Sequence, residues 1–235
     1  MKKLSILAAG ILFMLSSCEK VVGVGDLVTE TRTTGNFSGI ETQISGEVFY
    51  VQGNEYKVEL TAQQNILNVM ETPIINNRLV IRFKNDVRVR SHEQITVKVT
   101  APSISNIVLA GSGNVSVSNP LAGNFLSFNL SGSGNMTLPA ITSSHLEATI
   151  SGSGNISFGA GTANTEEIKI SGSGNIDAQN ILSKSAITST SGSGTIKLNA
   201  SETLNVTISG SGSVFYSGNP FITTNITGSG SVIRL

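Results

Sequence analysis

The tetrapeptide Gly-Ser-Gly-Asn that begins at Gly111 returns at Gly132, Gly152 and Gly172, then continues as Gly-Ser-Gly-Thr at Gly192 and Gly-Ser-Gly-Ser at Gly210 and Gly228. The seven copies stand 21, 20, 20, 20, 18 and 18 residues apart. A period of this length with one fixed punctuation mark is the sign of a solenoid, in which each repeat forms one coil and buries its apolar face only against its neighbours.

Residues 146–158 show how one coil is built. Leu146, Ala148, Ile150, Gly152, Gly154, Ile156 and Phe158 share one parity, and Glu147, Thr149, Ser151, Ser153, Asn155 and Ser157 take the other. Strand side chains alternate faces, so the first set lines a core and the second faces water. The same split recurs with Leu126, Phe128, Leu130, Met136 and Leu138, with Ile168, Ile170 and Ile176, and with Leu204, Val206, Ile208 and Val214. Two glycines flanking a serine within the inward row project nothing inward and tolerate positive φ, so the triplet predicts a corner. Between corners, residues 159–166 read as a long polar turn, while 199–202 and Gly218-Asn219-Pro220 close the two shorter coils.

These features predict an all-β fold, a single-stranded parallel β-helix (β-solenoid) of about 20 residues per coil. The handedness of parallel crossovers makes it right-handed, and the shorter last coils leave a left-handed alternative. In-register stacking at about 4.8 Å spreads the seven corners over roughly 29 Å. Ser112, Ser133, Ser153, Ser173, Ser193, Ser211 and Ser229 then form one column. Asn114, Asn135, Asn155 and Asn175 form a second, continued by Thr195, Ser213 and Ser231, and its amides can hydrogen-bond along the stack.

Ahead of the repeats, residues 28–32, 46–52, 56–61, 78–84 and 94–100 alternate polar and apolar side chains as strands do, and 63–70 could hold a short helical turn. Aromatics are 5% of the chain and Trp is absent, so the core must come from Ile, Leu, Val and Ala. The N-terminus is an export signal: Lys2 and Lys3, an apolar run over residues 4–15, then Ser16, Ser17 and Cys18. That run is too short to span a membrane as a helix. Leu15-Ser16-Ser17-Cys18 resembles the bacterial lipobox, which makes Cys18, the one cysteine, the lipid attachment site; a plain signal peptide with an unrelated Cys is the alternative. The expected organisation is a signal over 1–17, a tether over 18–27, an N-terminal β part over 28–109 and the repeat solenoid over 110–235. Glu19 follows the cysteine where inner-membrane retention would place Asp, which points to the outer membrane of the cell envelope.

Without Lys2 and Lys3 the 15 basic side chains become 13 against 15 acidic ones, a balance that does not favour nucleic acid. Arg82, Lys84, Arg88 and Arg90 form the one basic cluster, either a patch for phosphate headgroups or acidic glycans or simply the solvated face of strands. No Lys follows the Gly-Ser-Gly string as a phosphate loop requires, the two His are isolated, and neither a metal nor a cofactor is implied. After Gly111 the acidic residues are Glu147, Glu166, Glu167, Asp177 and Glu202, which the repeat does not set at one ladder position with a base beside them. The expected protein is therefore not an enzyme.

Arg32 with Phe37-Ser38-Gly39-Ile40, Asn65-Ile66-Leu67, Asn77-Arg78-Leu79-Val80-Ile81, Val97-Lys98-Val99-Thr100-Ala101-Pro102 and the Gly-Ser-Gly-Asn repeats together resemble the DUF2807 family, the putative auto-transporter adhesin head GIN domain common in Bacteroidetes lipoproteins. The resemblance covers residues 28–235. It implies a β-helical body that includes the segment before Gly111, and it brings no catalytic residues. The chain departs from the family pattern at Thr195, Ser213 and Ser231.

The functional expectation is a non-catalytic, lipid-anchored adhesin-like module. It presents a Ser/Thr/Asn face, with Ser133, Asn135, Ser153, Asn155, Ser173 and Asn175 as candidate contacts, to a glycan or an envelope protein. Two alternatives are an assembly protein that self-associates through its terminal coil and a lipid-binding lipoprotein.

Overall fold

The structure is a computed structural model and describes residues 19–235. Among these residues are 22 strands and one short helix, Gln64–Leu67. Cys18 and the expected signal over residues 1–17 lie outside the described residues.

Each repeat coil is built from a long and a short strand. In the coil that starts at Leu121, the strand Leu121–Gly132 bends at Asn124, turns the Gly-Ser-Gly corner and continues as Asn135–Leu138. Three parallel stacks result; the smallest joins residues 121–123, 141–143, 161–163, 181–183 and 199–200, and the other two are longer. One carries Arg78–Phe83, Gly39–Thr42 and Asn106–Gly111, then residues 125–132, 145–152, 165–172, 185–192 and 203–210, and ends at Phe221–Gly228. The other starts at Thr96–Ala101, passes Glu47–Gln52, Asn114–Val117, Asn135–Leu138 and Asn155–Phe158, and ends at Ser213–Ser217 and Ser231–Arg234. The ladder crosses residue 110 without a break, because Asn106 pairs with both Gly39 and Ser127.

The inward row is as the alternation predicts. Leu126, Leu146, Ile150, Ile156, Ile170, Ile196 and Ile208 are buried, and Phe128 meets Phe158 edge-on at 5.6 Å. Each such side chain contributes about 1.5–3 kcal/mol by burial. The core is thin and shared only between adjacent coils, so stability accrues coil by coil.

The Gly-Ser-Gly corner needs both of its glycines, for different reasons. Gly152 has φ 138°, a conformation other residues resist, and Gly154 lies so close to the coil before it that an added Cβ would sit 2.2 Å from the Gly134 carbonyl oxygen. The close approach keeps the ladder intact around the bend: Ser153 N donates to Gly132 O at 2.9 Å and Asn155 N to Gly134 O at 3.1 Å.

The coil order at the N-terminal end was not foreseen. Residues 78–101 form the outermost coil, although residues 39–52, which precede them in the chain, lie between them and the repeats. Antiparallel strands close this end: Lys57–Gln63 pairs with Thr96–Ala101, and Leu27–Thr33 with Lys57–Gln63. Arg32 locks the closure, donating to the carbonyls of Met70 at 3.1 Å and Leu67 at 3.2 Å. Charged, antiparallel covering of this kind protects a sheet edge from pairing with other chains. On the last coil Phe221 is 77% exposed, and Ile226, Ile233 and Leu235 are also exposed.

Three sequence expectations are corrected. Residues 19–22, read as tether, are a strand paired in parallel with Val87–Ser91. Residues 161–166 of the expected polar turn belong to the strand Gly161–Gly172, with Glu166 in the inward row above Leu146. The shortening of the later coils comes from an out-of-register step: Ala178 pairs with Leu198 but Leu182 with Asn199, which drops residues 179–181. One residue is regained between Ala200 and Thr203, a net loss of two.

Candidate functional site

The asparagine column is a continuous hydrogen-bonded ladder. Asn135 Nδ2 donates to Asn114 Oδ1 at 2.9 Å, Asn155 Nδ2 to Asn135 Oδ1 at 2.8 Å and Asn175 Nδ2 to Asn155 Oδ1 at 2.9 Å. At its foot Asn114 Nδ2 donates to the carboxylate of Glu47 at 2.7 Å, so every donor in the chain points toward a negative charge. Above Asn175 the substituted positions end in a single contact of 3.2 Å between the Ser213 and Ser231 hydroxyls. Ser133, Ser153 and Ser173 are exposed beside this ladder, and among the described residues no bonds link their hydroxyls. The six candidate contacts therefore form one exposed stripe, in which the amides are largely committed to the stack.

The basic cluster divides. Arg82 Nε donates to Glu71 at 3.3 Å and Lys84 Nζ to the Asn68 carbonyl at 2.9 Å, which ties both to the N-terminal end. Arg88 and Arg90 are exposed on the separate two-stranded ribbon, where Arg88 lies opposite Lys20. The four do not form one pocket.

Glu147 and Glu167 share one ladder position, and Lys169 pairs with Glu167. This overturns the expectation that no two acidic residues do so with a base beside them. The hydrogen bond and charge of Glu167 hold the Lys169 ammonium above the usual lysine range. Neither carboxylate lines the groove described next, so the pair belongs to a flat outer face. Among the described residues, no group of three or more His, Cys, Asp or Glu gathers as metal ligands would.

A groove lies at another bend of the coil. Ladder pairing passes from Gly123↔Ser143 to Phe125↔His145 in unchanged register, but it skips Asn124, Ser144, Asn164 and Lys184, where the chain turns. Small residues just before the bend, Gly123, Ser143, Ala163 and Ser183, leave a groove of about 630 Å³ across five coils, which reaches Ser201 and Glu202. Ser143 braces it by donating to the His145 carbonyl at 2.6 Å.

Outside this groove but next in the chain to Asn124, Phe125, 48% exposed, stacks on His145 with ring centres 5.4 Å apart and planes 11° from parallel. His145 is oriented by Nδ1, 2.7 Å from Thr165 Oγ1. Phe125 also lines a second hollow of about 450 Å³ with Asn77, Arg78 and Asn106. Sequence reasoning missed this surface because its residues share no motif from coil to coil. The signal that could have found it was an aromatic residue on the polar parity of a strand.

Beside the bend, Glu166 is buried and 1% exposed. Burial pushes its carboxyl up to about 8. The Ser183 hydroxyl offsets this only slightly, because it is committed to the Asn199 carbonyl at 3.1 Å, and neither carboxyl oxygen has a partner of good geometry among the described residues.

The family model described as "Putative auto-transporter adhesin, head GIN domain" matches residues 36–220. The chain belongs to the DUF2807 family. Its fold is similar to the crystal structure of a putative adhesin from Bacteroides fragilis NCTC 9343, at 25% identity and a TM-score of 0.86 over 92% of this chain and 100% of that one. A putative adhesin from Parabacteroides merdae ATCC 43184 matches at 23% identity and 0.77 over 92% and 99%. A putative lipid binding protein from Parabacteroides distasonis ATCC 8503 matches at 22% and 0.79 over 92% and 100%. No curated protein matches this DUF2807 chain. Among its described residues no helix is long and apolar enough to cross a membrane.

Proposed function

We propose that this DUF2807 protein is a non-catalytic binding module of the cell envelope, anchored through lipid on Cys18, that holds a glycan or an envelope protein against the polar surface of its solenoid. The observation that carries the reading is the exposed row of Ser, Thr and Asn side chains repeated at strand spacing on a stack closed at its N-terminal end. Such a face offers many hydroxyl and amide contacts without long flexible side chains, so little side-chain entropy opposes binding. The family description supports an adhesin role. The strand Glu19–Val22 starts directly after Cys18 and pairs beside the outermost N-terminal coil. A lipid on Cys18 would therefore hold that end at the membrane and present the repeat coils away from it.

Protease shaving of intact cells tests the placement, with release of fragments from the repeat coils as the expected result. Retention on glycan arrays or capture of envelope proteins tests the binding. Full protection in intact cells together with no retention of any ligand would sink the reading.

A further inference from the structure

We propose that the groove at the Asn124 bend, flanked by the Phe125–His145 step, is a binding site for a linear, uncharged glycan laid along the solenoid axis. This rests on the binding-module reading and names its surface and ligand class.

Shape sets the first constraint. The groove crosses coils rather than following one, so a ligand in it meets a new set of side chains every 4.8 Å or so, close to the length of one pyranose residue in an extended chain. Asn124, Ser144 and Asn164 lie at successive levels and, being skipped by the ladder pairing, offer amide or hydroxyl groups at that spacing. The second constraint is the aromatic step. Half-exposed Phe125 is braced by His145, itself fixed by Thr165, so the ring is a rigid platform. The electron-rich face of such a ring attracts the polarised C–H groups of a sugar ring.

Other ligand classes fit less well. A peptide strand would need a free sheet edge, and the strands on both sides of the groove are paired above and below. Of the charges lining the groove, Lys184 is matched by Glu202, which leaves no net field for a polyanion.

The test uses the chain from Cys18 onward with Cys18→Ser, which contains every described strand, against a panel of linear hexasaccharides. The panel holds neutral β-1,4-linked glucose, mannose and N-acetylglucosamine chains and one uronate chain. At least one neutral hexamer should bind. Phe125→Ala and the groove-filling Ser144→Tyr should each weaken it at least ten-fold, and Asp86→Ala, exposed between Arg78–Phe83 and Val87–Ser91, should change it less than two-fold. Because all three altered side chains are exposed, melting temperatures should stay at the parent value. Binding that survives both groove variants, or binding of the uronate chain alone, would overturn the groove while leaving the module intact. Capture of an envelope protein without any glycan binding would do the same, and absence of every ligand would remove both.

Discussion

Two of the bends in each coil solve one steric problem in opposite ways. At the Gly-Ser-Gly corner the chain turns by removing side chains, and successive backbones approach until a single Cβ would not fit. At the Asn124 bend it turns by leaving Asn124, Ser144, Asn164 and Lys184 unpaired, and the space that opens is a groove. The corner written into every repeat is thus scaffold, because identical packing demands identical residues. The bend with no shared sequence is free to vary, and that freedom suits it to recognition.

Substitution at the first bend should have the largest effect. Gly154→Val brings a branched side chain into the Gly134 carbonyl and the Leu130 side chain. It should cost about 4 kcal/mol or more, or prevent folding, as read from the urea midpoint. A cost below about 1 kcal/mol would mean that the corner is not close-packed and the contrast fails.

Glu166 tests the second bend through pH. Its folded pKa, pushed up to about 8, lies above the usual carboxyl value of 4.5, so the stability it contributes is fully present below about pH 4.5 and is lost as pH rises through 8. Glu166→Gln should therefore match the parent near pH 4 and exceed it by roughly 5 kcal/mol at pH 9 in denaturant titrations. A pH-independent difference would show that the carboxyl is not held neutral.

The smallest effects separate the polar rows. Asn155→Ala interrupts the amide ladder, losing a donor to Asn135 and an acceptor for Asn175, and should lower stability by about 1 kcal/mol. Asn164→Ala, exposed at the groove, should stay within about 0.5 kcal/mol of the parent. Equal costs would erase the distinction between a row that holds the stack and one that is free for a ligand.

Much of this was legible in the chain. Alternation placed Leu146, Ile150, Ile156 and Phe158 in the core, and the spacing of the glycines placed the corner. The asparagine period anticipated the ladder from Asn114 to Asn175. Glu166 was readable in principle, since it falls 20 residues after Leu146, but a local run of polar residues masked the period. The shared position of Glu147 and Glu167 was hidden in the same way. The coil order at the N-terminal end had no local signal, because the contacts of residues 39–52 with 96–101 and 114–117 are far apart in sequence.

The sequence alone determined the coil, its period, its inward row and its glycine corner, because each follows from rules acting within a few residues and repeated with the same spacing. Tertiary structure decided what stacking adds: the antiparallel closure of the first coils, the burial of a carboxyl beneath Ser183, and the groove beside Phe125 and His145. Those depend on which coil lies on which and where the register slips. Residues that share no motif are brought together there only by the 4.8 Å or so that separates one strand from the next.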